Sequence, residues 1–77
     1  MDFPSVKAAK LLRVLLREPL AYEITRQKGS HRTLESPKGY PKLIFAYHEG
    51  ATVPSGAVRK ILCKDVGLTE TEARKLV

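Results

Sequence analysis

The most restrictive feature of this chain is that its hydrophobic period changes twice within 77 residues. Over residues 5–17 the apolar side chains recur at helical spacing, which predicts an amphipathic helix that Ser5 caps and Pro19 ends. Over residues 20–25 apolar and polar side chains alternate, as is typical of a half-buried strand. The helical spacing returns over residues 55–66, where Ser55 is the expected N-cap and Gly67 ends the helix, so helices are expected at both ends and a sheet between them.

Two further strands are predicted over residues 30–35 and 42–48, the second being the most apolar of the three. Gly29 marks the turn before the first of them, because glycine adopts positive φ without steric cost. Since each connection is short, the strands are expected to pair as an antiparallel meander. A short last helix is predicted to end at Leu76 and to begin at Thr69, which has the spacing of a capping box with Glu72.

This order predicts an α+β fold in which two helices cover one face of a three-stranded antiparallel sheet. The other face of the sheet would stay open, so its side chains would be exposed and held at the fixed spacing of the strands. A chain of 77 residues is too short for two separate cores, and we expect a single domain over residues 1–77.

Charge and cysteine content limit the class of protein. Fourteen Lys and Arg against eight Asp and Glu give a net charge of +6, which favours an anionic partner such as nucleic acid, an acidic protein or a membrane surface. No apolar run approaches the roughly 20 residues that cross a membrane, so we expect a cytoplasmic protein. Cys63 stands alone, and neither a disulfide framework, a metal site nor another cofactor is expected.

The segment RQKGSHR, residues 26–32, contains the candidate catalytic residue, His31. Alternation along the second strand predicts that His31 faces the open side of the sheet with Thr33 and Glu35. Leu34 is apolar, so its face, which it shares with Arg32, is expected to meet the helices. A one-residue bulge near the turn would reverse this assignment.

An imidazole on an exposed basic hairpin suits metal-free cleavage of RNA. RNA supplies its own nucleophile, the 2′-hydroxyl, and His31 could take or give a proton near neutral pH. The residues around it could stabilise the charged transition state, orient the ring and let the backbone approach the substrate. These residues are Arg26, Lys28, Gly29, Ser30 and Arg32. A basic stripe on the first helix adds Lys10 as a further candidate RNA contact, although such a stripe is equally typical of a solvated helix face.

Other chemistry-bearing residues have weaker patterns. Glu23 and Glu35 are the candidates for a carboxylate that orients the histidine ring. His48 ends an apolar strand and is expected to be structural. Cys63 follows Leu62 on the second predicted helix, and we expect a partly buried side chain with no nucleophilic role.

Four features occur together in this chain: a Lys- and Leu-rich first helix, the segment RQKGSHRTL, a strand ending FAYH, and the segment PSGAVRKILCKDVGLT. This combination resembles the HicA family of bacterial toxins. The resemblance covers residues 5–71, and its most specific parts are Gly29-Ser30-His31 and residues 56–62 followed by Gly67-Leu68-Thr69. It implies an α-β-β-β-α fold like that of a double-stranded-RNA-binding domain. It also implies a metal-independent ribonuclease that cleaves mRNA, with His31 at the position of the essential histidine. The partner that it implies is a HicB antitoxin, which covers the active face within a type II toxin–antitoxin system.

Two other functions fit the same fold. One is a double-stranded-RNA-binding module without chemistry, which would grip phosphates with cations at the start of its last long helix, where this chain has Arg59 and Lys60. The other is a protein-interaction module whose basic face serves an acidic partner. Fold does not separate these from the ribonuclease.

Overall fold

A computed structural model describes residues 3–77; Met1 and Asp2 of the predicted domain lie outside the described residues. In chain order the elements are β1 (Val6–Lys7), α1 (Ala8–Leu16), β2 (Glu23–Lys28), β3 (His31–Glu35), β4 (Leu43–Ala46), β5 (Thr52–Val53), α2 (Ser55–Arg59) with a π-helical continuation (Lys60–Asp65), and α3 (Glu70–Leu76). Strands β2, β3 and β4 form an antiparallel sheet in that order. The predicted fold class is confirmed.

The helices pack on one face of this sheet. Leu11 and Leu15 of α1, Leu34 of β3, Phe45 of β4 and Leu62 of the π-helical segment belong to one buried cluster. Burying each such side chain contributes about 1.5–3 kcal/mol, which explains why the apolar stripe of α1 faces inward. The basic residues of that helix remain exposed on its outer side.

A second, two-stranded sheet was not predicted. β1 pairs antiparallel with β5 in the register Val6↔Val53, and the amide of Ala8 donates to the carbonyl of Ala51 at 2.9 Å. α1 therefore begins at Ala8, and Lys7 occupies the N-cap position that was predicted for Ser5. Two-residue strands show no alternation, so the sequence contains no pattern from which to predict them.

β2 lies three residues further along the chain than its alternating pattern predicts. Leu20 and Tyr22, which produce much of that pattern, are buried in the connection before the strand. The hydroxyl of Tyr22 donates a hydrogen bond to the carbonyl of Pro41 at 2.6 Å. The hydroxyl of Ser36 donates a hydrogen bond to the carbonyl of Leu20, also at 2.6 Å. Burial, and secondarily the nearby Tyr40, raises the pKa of Tyr22. The alternation of apolar and polar residues before β2 therefore reflects the burial of Leu20 and Tyr22 in a loop, which these hydrogen bonds stabilise.

The C-terminal helices show the expected ends, with one exception. Gly67 has a φ of 92° and allows the amide of Leu68 to donate to the carbonyl of Leu62 at 3.0 Å. The predicted capping box of Thr69 and Glu72 is present at the start of α3. The N-cap of α2 is Pro54, whereas Ser55 was predicted. None of the helices within residues 3–77 combines the length and the apolar character that a membrane span requires.

Candidate functional site: the open face of the sheet

His31 lies on the open face of the sheet, as the alternation of β3 predicts. Its cross-strand neighbours are Lys28 on β2 and Ala46 on β4, while those of Thr33 are Arg26 and Ile44. A shallow hollow of about 460 Å³ lies on this face. Its lining residues come from all three strands and are Arg26, Lys28, His31, Thr33 and Ile44.

A β-bulge brings the two cations of β2 to this face. Ile24 pairs with Leu34, and the next pair is Arg26 with Thr33, so Thr25 is the extra residue. A regular ladder would place Thr25 opposite Thr33 and would turn Arg26 to the side that the helices cover. Because the bulge lies in β2 and not at the turn, the alternation of β3 is unaffected.

The turn beside His31 is tightly defined. Gly29 and Ser30 form the two-residue loop between Lys28 and His31, and Gly29 has a φ of 59°. Positive φ at the first central residue is the requirement of a type II′ hairpin turn. The carbonyl of Ser30 accepts a hydrogen bond from the amide of Tyr47 at 2.7 Å, which fixes the loop to the end of β4. Gly29 and Ser30 lie next to the hollow in sequence, but neither lines it.

The imidazole of His31 is exposed, and within residues 3–77 no hydrogen bond or ion pair holds it. Glu35 lies four residues along the same strand, which corresponds to about 13 Å. Glu23 pairs with Glu35, so it lies at the same distant end of the sheet. The carboxylate of Glu35 instead accepts a hydrogen bond from Thr25 at 2.7 Å. The structure therefore does not bring either predicted carboxylate to the ring, which is accessible to a substrate.

Besides Gly29 and Ser30, two further predicted RNA contacts, Arg32 and Lys10, do not line the hollow. Arg32 pairs with the buried Phe45, and its guanidinium carbon lies 4.4 Å from the ring centroid of Tyr47. This is a cation–π contact on the covered side of the sheet. Lys10 is exposed on α1, and that helix packs on the covered face. Any contact of these two side chains with RNA would lie outside the hollow.

The ion pairs of the described residues all lie elsewhere. They are Glu18–Lys38, Arg59–Glu70, Lys60–Asp65 and Arg74–Glu70. The positive charges of Arg26 and Lys28 therefore face solvent without a neutralising carboxylate. Among residues 3–77, no three His, Cys, Asp or Glu side chains are grouped as a metal site would require.

Ile44 is the residue of the hollow that the sequence alone did not identify. Ile44 belongs to the strand that was predicted to be the most apolar, yet its exposed fraction is 69%. Strict alternation provides the only pattern that could have identified it, because the neighbours Leu43 and Phe45 are both buried. Thr33 was expected on the open face, and the cross-strand register places it opposite Arg26 and Ile44.

Comparison with known proteins agrees with this fold. Neither the curated proteins nor the solved structures contain a significant match to the chain. Residues 8–68 match the family model described as HicA toxin of bacterial toxin-antitoxin. The matched range contains α1, all three strands of the main sheet, the hairpin with His31 and the whole of α2. Since the match covers well over half of the chain, the protein belongs to the HicA family of toxins from bacterial toxin–antitoxin systems, in which a toxin is paired with an antitoxin.

Proposed function

We propose that this protein is a metal-independent endoribonuclease, an mRNA interferase, in which His31 acts as general acid or base. The observation that supports this most strongly is the position of His31 on an open sheet face beside two unneutralised cations, Arg26 and Lys28. Membership of a toxin family adds to it, because cleavage of mRNA stops translation and is itself toxic.

The proposed reaction uses groups of the RNA and of this face, with solvent as the second source of a proton. His31 takes the proton of a ribose 2′-hydroxyl, and the oxygen attacks the adjacent phosphorus. Arg26 and Lys28 stabilise the additional negative charge on the phosphoryl oxygens in the transition state. The bond from phosphorus to the 5′-oxygen breaks, and that oxygen takes a proton from solvent. The products are a 2′,3′-cyclic phosphate and a free 5′-hydroxyl.

The antitoxin partner that we propose is a HicB protein that covers the open face. That face combines unneutralised cations with an isoleucine, Ile44, whose exposed fraction is 69%. An acidic partner surface with an apolar centre would match both features and would block access of RNA to His31. Free toxin would act on mRNA in the cytoplasm.

A duplex-binding module without chemistry is the alternative, and the structure of α2 weighs against it. Arg59 and Lys60 are the cations near the start of that helix, and both already face carboxylates. Arg59 lies 2.7 Å from Glu70, and Lys60 lies 3.4 Å from Asp65. These side chains are thus less available to phosphates than Arg26 and Lys28 are. Tight binding of long duplex RNA without any cleavage would favour the alternative.

The experiment compares two short oligonucleotides of the same sequence, one with ribose and one with 2′-deoxyribose, in EDTA. The wild-type protein is expected to cleave the ribose strand to fragments that end in 2′,3′-cyclic phosphate, and to bind the deoxy strand without cleaving it. Equal cleavage of both strands would exclude the 2′-hydroxyl as nucleophile. Absence of any cleavage of the ribose strand would exclude the ribonuclease.

A further inference from the structure

We propose that the three strands of the open face each hold a different part of one unpaired nucleotide, with the phosphate at β2, the ribose at β3 and the base at β4 against Ile44. This proposal rests on the proposed ribonuclease function and names the form of its substrate, a single strand. It follows from an asymmetry across the hollow, which has cations on one flank and an apolar side chain on the other.

The phosphate position is indicated by charge. Arg26 and Lys28 lie two residues apart on the same face of β2, which is an edge strand of the sheet. Side chains at that spacing are about 7 Å apart along the strand, so both can approach one phosphate or two successive phosphates. Neither side chain has an ion-pair partner among the described residues.

The ribose position follows from the geometry of the sheet. Neighbouring strands lie about 4.8 Å apart, so β2 and β4 are separated by about 10 Å with β3 between them. In a nucleotide the ribose lies between the phosphate and the base, over a span of that order. A nucleotide lying across the strands would therefore place its 2′-hydroxyl over β3, which contributes His31 and Thr33 to the hollow.

The base position is indicated by Ile44. Its side chain is 69% exposed, which makes it the most exposed of the large apolar side chains of residues 3–77. The next outward residue of β4 is Ala46, so β4 itself presents an apolar surface on this flank and contains no charged residue. The flat face of a base can pack on such a surface. In a duplex that face is stacked against neighbouring bases, so the substrate must be unpaired.

Binding of two uncleavable strands tests this inference. The probes are a short fluorescein-labelled oligodeoxythymidylate and a chain of the same length with abasic sugars, and fluorescence anisotropy measures their affinities. Ile44→Thr removes apolar surface and is expected to weaken binding of the base-bearing strand about fivefold, without changing the affinity for the abasic chain. Arg26→Gln should weaken binding of both equally. Ile24→Thr is the matched control, since Ile24 is also an exposed strand isoleucine but lies outside the hollow.

Equal affinity of Ile44→Thr and wild type for the base-bearing strand would overturn the inference and would assign Ile44 to the antitoxin surface. Equal weakening for both probes would overturn it too, because the base would not be the group that Ile44 contacts. The test is independent of catalysis. A base-dependent effect in a protein that fails to cleave RNA would support the nucleotide arrangement and refute the ribonuclease. Cleavage of RNA by a protein in which Ile44→Thr has no base-dependent effect on binding would support the ribonuclease and refute the nucleotide arrangement.

Discussion

At the scale of single residues, the two histidines differ in their neighbours and not in their exposure. His31 has Lys28 across the strand pair and faces the hollow. His48 follows the end of β4, where its carbonyl accepts a hydrogen bond from the amide of Ala51 at 3.0 Å. His48 thus lies in a turn outside the hollow.

Tyr22 is the residue whose hydrogen bond holds the connection between α1 and β2. Tyr22→Phe removes the donor to Pro41 and is expected to lower the free energy of unfolding by about 1 kcal/mol at pH 7. Burial raises the pKa of Tyr22 from its ordinary value of 10.0, so folding favours the neutral phenol. The stabilisation is complete below pH 10 and is lost as the pH rises through the pKa of the folded state.

Denaturant unfolding of wild type and Tyr22→Phe at neutral and alkaline pH measures both effects. The difference between the two proteins should narrow above pH 10. A difference that widens there would contradict the assigned direction of the pKa.

At the scale of elements, the bulge in β2 determines which side chains face the hollow. Deletion of Thr25 removes the extra residue and leaves Arg26 opposite Thr33 in a regular ladder. We therefore expect the deletion variant to keep the cross-strand nuclear Overhauser contacts between these two residues. If β2 were regular in the wild type, Arg26 would lie on the covered face, so its contacts with Thr33 would be absent from the wild type and would appear only in the deletion variant.

The capping box at the start of α3 makes a second prediction at this scale. Thr69→Ala removes the acceptor for the amide of Glu72 and is expected to cost about 1 kcal/mol of stability. Hydrogen bonds from the amide and hydroxyl of Thr69 lower the pKa of Glu72 below its ordinary value of 4.5, so folding favours the carboxylate. This contribution is present above pH 4.5 and is lost as the pH falls through the pKa of the folded state.

Thermal unfolding of wild type and Glu72→Gln as a function of pH checks that direction. The Tm of the wild type should exceed that of the variant at neutral pH, and the two should converge in acid below pH 4.5. A Tm difference that grows in acid would contradict the lowered pKa of Glu72.

The elements also show how far sequence patterns reach. α1, α2 and the capping box were predictable because helical spacing and caps are local. The fold class was predictable from the order of helices and strands along the chain. The bulge at Thr25 was not predictable, because it depends on pairing with β3, and the shift of β2 arose because Leu20 and Tyr22 are buried without being in a strand. Accordingly the sequence predicted that His31 lies on the open face but did not predict that Ile44 lines the same hollow.

At the scale of the whole molecule, charge is unevenly distributed. Three of the four ion pairs join residues of the helical region 59–74, whereas the cations of the open face are unpaired among the described residues. Arg26 and Lys28 therefore offer an anionic partner positive charge on the open face that no carboxylate of the described residues neutralises.

The salt dependence of RNA binding measures how many phosphates these cations contact. Two phosphate contacts, from Arg26 and Lys28, predict a slope of about −1.4 for log K against log salt with single-stranded RNA. Arg26→Gln is expected to reduce the magnitude of the slope by about 0.7. Lys75→Gln on α3, distant in sequence from the hollow, serves as the charge-matched control and should not change it. An unchanged slope in Arg26→Gln would exclude this side chain as a phosphate contact.

The most direct measurement is RNA cleavage in EDTA by wild type, His31→Ala and His48→Ala, with circular dichroism of all three. We expect wild type and His48→Ala to cleave at similar rates, and His31→Ala to lose at least about 100-fold in rate with an unchanged spectrum. Cleavage by His31→Ala at the wild-type rate, in a preparation free of other nucleases, would contradict the assignment of His31 as the catalytic residue.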